Sequence, residues 1–161
     1  MSVDEARLPA PDLRATLRDF AELRARIPYA AHLGMELIFE DERLRFRLPF
    51  RTQMIGDSAL PAIHGGVIAG FMEGSAQLHL LLALTERRLP KNIDFSIDYL
   101  RSGNAADCYA DCEVMRQGRR VAQVQVRCWQ FERAGPAGQS KRTRDIALAR
   151  AHFLLAVETD G

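Results

Sequence analysis

The sequence predicts an α+β fold in which an antiparallel sheet wraps around one long central helix, with an amphipathic helix ahead of it. Three observations point there. The stretch IHGGVIAGFMEGSAQLHLLLALTERRLP, Ile63 to Pro90, is apolar or small almost throughout from Gly65 to Thr85. Segments with one apolar and one polar face, the period of half-buried strands, lie on both sides of it. The later strands have connections short enough for antiparallel neighbours. A sheet with one apolar face needs a cover, and the long helix is the only candidate of sufficient length.

Taken in order, residues 11–26 (PDLRATLRDFAELRAR) place Leu13, Leu17, Phe20 and Leu23 at helical spacing, and Pro28 ends that helix. MELIFEDERLRFRLPF reads as a hairpin: Leu44, Phe46 and Leu48 alternate with Arg43, Arg45 and Arg47, and the acidic Glu40–Glu42 run is the turn. Residues 51–63 read as a loop containing Gly56 and Pro61. The apolar helix follows and stops before Pro90. In NIDFSIDYL, Ile93, Phe95, Ile97 and Tyr99 alternate with Asp94, Ser96 and Asp98; Asn92 shares parity with Asp94, opposite Ile93. A strand from about Asp107 to Met115 leads into a turn at Gly118. Ala122, Val124, Val126 and Cys128 then alternate with Gln123, Gln125 and Arg127. A polar loop, Glu132 to Asp145, precedes a last strand, IALARAHFLLAV. The expected organisation is an N-terminal helical extension, 1–28, and a main domain, 29–161.

The chain has 161 residues, 47% of them hydrophobic, enough for one domain with a sizeable core. Lys plus Arg number 22 and Asp plus Glu 21, so a net charge of +1 provides no broad field for nucleic acid. The acidic start, MSVDEARLPAPD, lacks the apolar core of a secretory signal. Glu73, Gln77 and His79 argue against a membrane span, since a mid-membrane carboxylate costs roughly 2.5–3.5 kcal/mol. Cys108, Cys112 and Cys128 are odd in number and form no CxxC, which suggests reduced thiols in a cytosolic protein. No residues stand at metal-ligand spacing, and no metal or cofactor is expected. His79 and His152 read as packed or surface residues, Trp129 as core or interface, and His32 has no visible partner.

The chemistry concentrates on the long helix. His64-Gly65-Gly66 sits where loop becomes helix. The first amides of a helix have no internal partner and carry the positive end of its dipole, a setting for an anion or for the oxygen of a carbonyl under attack. Paired glycines allow close approach. Glu73 is a carboxylate in a helix built for burial; such groups are paired, neutralised or placed in a site. An arginine partner or the surface end of the helix would satisfy it as well. Eight positions separate Gly65 from Glu73, about 12 Å of helix, so the two cannot reach one carbonyl from the same chain. If they cooperate, each comes from a different subunit, as in a two-fold dimer with antiparallel helices.

HGGVIAGFMEGSA, followed by NIDFSIDYLRSG and RQGRRVAQVQV, resembles the PaaI-type acyl-CoA thioesterases of the hotdog fold over about residues 30–157. The resemblance implies hydrolysis of an acyl-CoA thioester in a homodimer or dimer of dimers in the cytoplasm. Gly65 would offer its amide to the thioester oxygen, with Gly66 beside it, and His64 would shape the turn. Glu73 would act from the partner chain as general base or as nucleophile. Asn92 falls where related enzymes carry a Ser or Thr that positions the water. Tyr99, Leu100, Arg101, Ser102 and Gly103 match one region that holds CoA. Arg116, Gln117, Gly118, Arg119, Arg120 and Val121 match another, and their arginines suit phosphates as charge-assisted pairs. Where many members place an Asn upstream of the histidine, this chain has Asp57 and Ser58. Phe71, Met72 and Leu78 are candidate tunnel-lining residues, and Lys141, Arg142 and Arg144 form either a solvated turn or further phosphate contacts. Two other readings are a hotdog 3-hydroxyacyl-thioester dehydratase or hydratase, faintly echoed by Gly74–Gln77, and a non-catalytic acyl-CoA-binding dimer.

Overall fold

Ala122, Val124, Val126 and Cys128 alternate along one strand and are all buried, which sets the inner face of the sheet. That strand belongs to a computed structural model that describes residues 13–40, 43–84, 88–132 and 143–155. The elements are α1 (Leu13–Ala25), α2 (Pro28–Leu33), β1 (Glu36–Glu40), β2 (Arg43–Leu48), a 3-10 turn (Thr52–Met54), β3 (Ile55–Asp57), β4 (Leu60–Ile63), α3 (Gly65–Ala83), β5 (Lys91–Tyr99), β6 (Cys108–Gln117), β7 (Val121–Phe131) and β8 (Thr143–Leu154).

Six strands form one antiparallel sheet in the order β1-β2-β6-β7-β8-β5. The central helix α3 packs on β6, β7 and β8, and α1 and α2 cover its other side. Ile68, Phe71, Met72, Ala76, Leu78, Leu80 and Leu81 are all buried, so the helix is apolar around most of its circumference because it has neighbours around most of it. It is long and apolar enough to cross a membrane by composition alone, but here it is the core of the sheet. This is the predicted architecture.

Several local expectations need correction. Pro28 does not merely end α1; it occupies the first turn of α2, where its missing N–H costs nothing. Gly34, at φ 68, closes α2 in the left-handed conformation. Of the predicted stripe on α1, Phe20 and Leu23 are buried, whereas Leu17 is 41% exposed. Residues 51–63 are not a plain loop: the 3-10 turn and the β3–β4 hairpin lie there. The polar loop is shorter than expected, because β8 already begins at Thr143 and includes Arg144 and Asp145. Lys141 and Arg142, and residues 41–42 of the expected turn, lie outside the described residues. Phe71, Met72 and Leu78 are each 0% exposed within a single chain, so they fill the core and line no opening.

The outer face of the sheet carries its own network. Asp111 accepts from Arg45, Arg127 and the Trp129 indole, and Trp129 stacks on Tyr109 at 4.7 Å. All three cysteines are free; Cys108 and Cys128 are buried on the inner face, where the hydrogen bond with Cys108 and then burial push the Cys128 thiol well up.

Candidate functional site

Helix α3 starts as its sequence requires. The His64 backbone is extended (φ −58, ψ 133), and its Nδ1 accepts from the Gly66 N–H at 2.9 Å, a side-chain cap. The His64 N–H in turn donates to the Met54 carbonyl at 2.8 Å. Val67 and Ile68 donate to the His64 carbonyl. Among the described residues this leaves the Gly65 N–H without an acceptor, at the positive end of the helix. Of the two candidate glycine amides, then, Gly66 is committed to the cap and Gly65 is available.

Gly56, expected only as a loop glycine, and Gln130, which carries no sequence signal, hold this corner. A Cβ on Gly56 would lie 2.8 Å from His64 Cδ2 and 3.2 Å from His64 Cα, so only glycine lets β3 pass under the histidine. Its signal was a glycine in an apparent loop. Gln130, 0% exposed, donates to the Asn104 and Ala106 carbonyls and accepts from the Asn104 N–H, fixing the chain just after Gly103. Asp57 accepts from the Ala59 N–H and makes the β3–β4 turn.

Glu73 lies two turns further along α3, half-buried, and the Asn92 Nδ2 donates to its Oε1 at 2.6 Å. Strict alternation put Asn92 on the outer face with Asp94. A β-bulge corrects this: Asn92 pairs with Phe153 and Asp94 with His152, leaving Ile93 extra. Phe153 is buried beneath α3, so Asn92 shares the inner face, while Asp94 meets His152 outside at 3.3 Å. No arginine is paired with Glu73 among the described residues.

The remaining candidates fall at opposite ends of the sheet. Tyr99 pairs with Ala147, and its hydroxyl donates to the Gly65 carbonyl at 2.6 Å. Leu100 and Arg101 follow, both exposed, and Arg101 donates to the Asp145 carbonyl. The Ser102 carbonyl accepts from Arg144 at 3.0 Å. Gly103 is buried, with Ile68 Cδ1 3.1 Å from where a Cβ would stand, so packing alone accounts for this glycine. At the other end, Arg116, Gln117, Gly118, Arg119, Arg120 and Val121 are exposed around the β6–β7 turn, where Gly118 donates to the Val121 carbonyl. Val121 and Lys91 both pair with Leu154. From Ala147 to Leu154 is about 24 Å of strand. One chain therefore carries its candidate residues in two groups: His64, Gly65 and Tyr99–Gly103 at one end, and Glu73, Asn92 and Arg116–Val121 towards the other. Between them runs the edge strand β5, with Ile93 56% and Tyr99 50% exposed. Among the described residues no group of three or more His, Cys, Asp or Glu side chains is placed to hold a metal ion.

Comparison with known proteins bears on this geometry. A sequence model of the acyl-CoA thioesterase N-terminal domain matches residues 56–154. YigI, a medium/long-chain acyl-CoA thioesterase of Escherichia coli K12, is 32% identical over 114 residues, covering 62% of this chain and 74% of the relative. Among solved structures, a protein from Chromobacterium violaceum is 39% identical with a TM-score of 0.60, covering 86% of this chain and 97% of that one. A thioesterase from Haemophilus influenzae shares the fold at a TM-score of 0.69 and 17% identity, over 89% of this chain and 92% of its own.

Proposed function

The chain belongs to the hotdog acyl-CoA thioesterase family, and on that premise we propose that it is a cytoplasmic homodimer of PaaI type that hydrolyses acyl-CoA to the free acid and CoA. Each of its two active sites joins one half-site from each copy. The thioester oxygen takes the Gly65 N–H of one copy, which the His64 cap leaves open. Glu73 of the other copy removes a proton from the attacking water, and Asn92 holds that carboxylate in place. The tetrahedral intermediate collapses, the C–S bond breaks, and the proton taken from water goes to the departing thiolate. In the alternative route Glu73 attacks the carbonyl itself and water then cleaves the resulting anhydride; both use the same atoms. Tyr99–Gly103 and the arginines at Arg116, Arg119 and Arg120 flank the CoA arm from the two copies.

The contact that carries this reading is Asn92 on Glu73 at 2.6 Å, because a bulge in β5 is what brings the amide to the helix side of the sheet. The name of the Escherichia coli relative directs the first assay to medium and long acyl chains. Thiol release across such a panel is expected to fall about 100-fold or more in Glu73→Gln; unchanged turnover would remove Glu73 from the mechanism. Sedimentation is expected to give a dimer or a dimer of dimers, and a monomer that cleaves thioesters would overturn the shared site.

A further inference from the structure

We infer that Tyr29, on the short N-terminal helix α2, is a wall of the acyl-binding path and sets acyl-chain preference; this rests on the thioesterase reading above. The argument begins on α3. Gly66, Gly70, Glu73 and Gln77 follow one another at i+4, i+3 and i+4, so they share one face of the helix. Gly70 stands between the oxyanion end and the carboxylate, about 6 Å of rise from Gly66 and about 4.5 Å from Glu73. The Tyr29 ring lies on that point. A Cβ on Gly70 would come within 3.2 Å of Tyr29 Cδ1 and closer still to Cε1, so the ring touches helix backbone and only glycine admits it.

The ring is held there from its own side. His32 stacks on it, with centroids 6.0 Å apart and planes 19° apart, and the His32 carbonyl accepts from Arg51. Ala30 and Leu33, the buried residues of α2, pin the helix, and Gly74 receives Met35 and Ala30 one turn further along α3. Yet Tyr29 remains 49% exposed, a large aromatic surface left open at Gly70, three residues before Glu73 on α3. In a dimer whose sites each take Gly65 from one copy and Glu73 from the other, an acyl chain leaving the thioester along this face of α3 meets that ring. The exposed surface is apolar ring with a single hydroxyl, suited to an alkyl chain.

The test compares kcat/KM for a series of straight-chain acyl-CoAs on wild type, Tyr29→Phe and Tyr29→Ala, with thermal melts to establish folding. Tyr29→Phe keeps the ring and is expected to keep the wild-type profile. Tyr29→Ala opens the path and is expected to raise the long-to-short preference about tenfold. Gly70→Ala, which displaces the ring without removing it, is expected to shift the profile in Tyr29→Phe and wild-type backgrounds but not in Tyr29→Ala. A folded Tyr29→Ala with an unshifted profile would overturn the inference while leaving the thioesterase reading intact. A wild-type protein that hydrolyses none of the series would instead overturn that reading.

Discussion

The Tyr99 hydroxyl donates to the Gly65 carbonyl at 2.6 Å, which fastens the last residue of β5 to the first residue of α3. Burial raises the Tyr99 pKa, so the phenol stays a donor through neutral pH. Tyr99→Phe keeps the ring and removes the bond. Stability is expected to fall by about 0.5–1.5 kcal/mol, read by urea titration. Because the peptide being held is the one next to the proposed oxyanion donor, kcat is expected to fall as well. An unchanged kcat would mean that the helix cap alone holds Gly65 in place.

Gly56→Ala tests the support beneath that corner. The added methyl would press on both the ring and the Cα of His64, and backbone cannot yield as a side-chain tip can. A loss of about 1–3 kcal/mol is expected, with weakened turnover from a displaced cap. A melting temperature equal to wild type would show that β3 can shift freely.

His79 gives a pH dependence with a definite sign. Its ring stands edge-on to Phe46 at 6.5 Å, and burial lowers its pKa from 6.5 to about 4. The unfolded chain therefore binds this proton near pH 6.5 and the folded chain only near pH 4. Stability is complete above the unfolded value and declines as pH falls through that window, levelling off below about 4. Between pH 7.5 and 5 the loss is about 2 kcal/mol. His79→Phe is expected to flatten urea midpoints measured at those two pH values. A variant that keeps the wild-type slope would assign the acid loss to other groups.

Gly65→Pro deletes the amide that the proposed mechanism uses while respecting the helix. Proline is tolerated in a first turn, and the extended His64 backbone, at ψ 133, is what a residue before proline adopts. Tyr99 Cζ and Oη, 3.3 Å from a Cβ at this position, would have to give by a few tenths of an ångström. Helical content by circular dichroism is expected to persist, and kcat to fall about 100- to 1,000-fold. Full activity would place the oxyanion elsewhere.

Much of this was legible in the chain. The alternation from Ala122 to Cys128 announces the inner face, because a buried strand face tolerates little else. The separation of Gly65 and Glu73 is legible because helix rise is constant. The β3–β4 hairpin was not, since IGDSALPAI has no alternation and its short strands depend on partners elsewhere, including the Ala62–Asn104 bridge. Pro28 was ambiguous because the same ring that stops one helix can open the next. The inward aim of Asn92 was not legible because no local residue pattern announces the extra residue at Ile93. The contact of Tyr29 with Gly70 joins elements that only tertiary packing brings together.

The separation of Gly65 from Glu73 by about 12 Å of helix, on the proposed two-copy mechanism, has a consequence for mixed populations. Two defective polypeptides, one altered at Gly65 and the other at Glu73, each lack a different half. Co-assembled, a hybrid pair holds one pocket with both lesions and one with neither. Complementation between two inactive genes is therefore expected of a site shared in this way, with a yield set by how freely the subunits exchange.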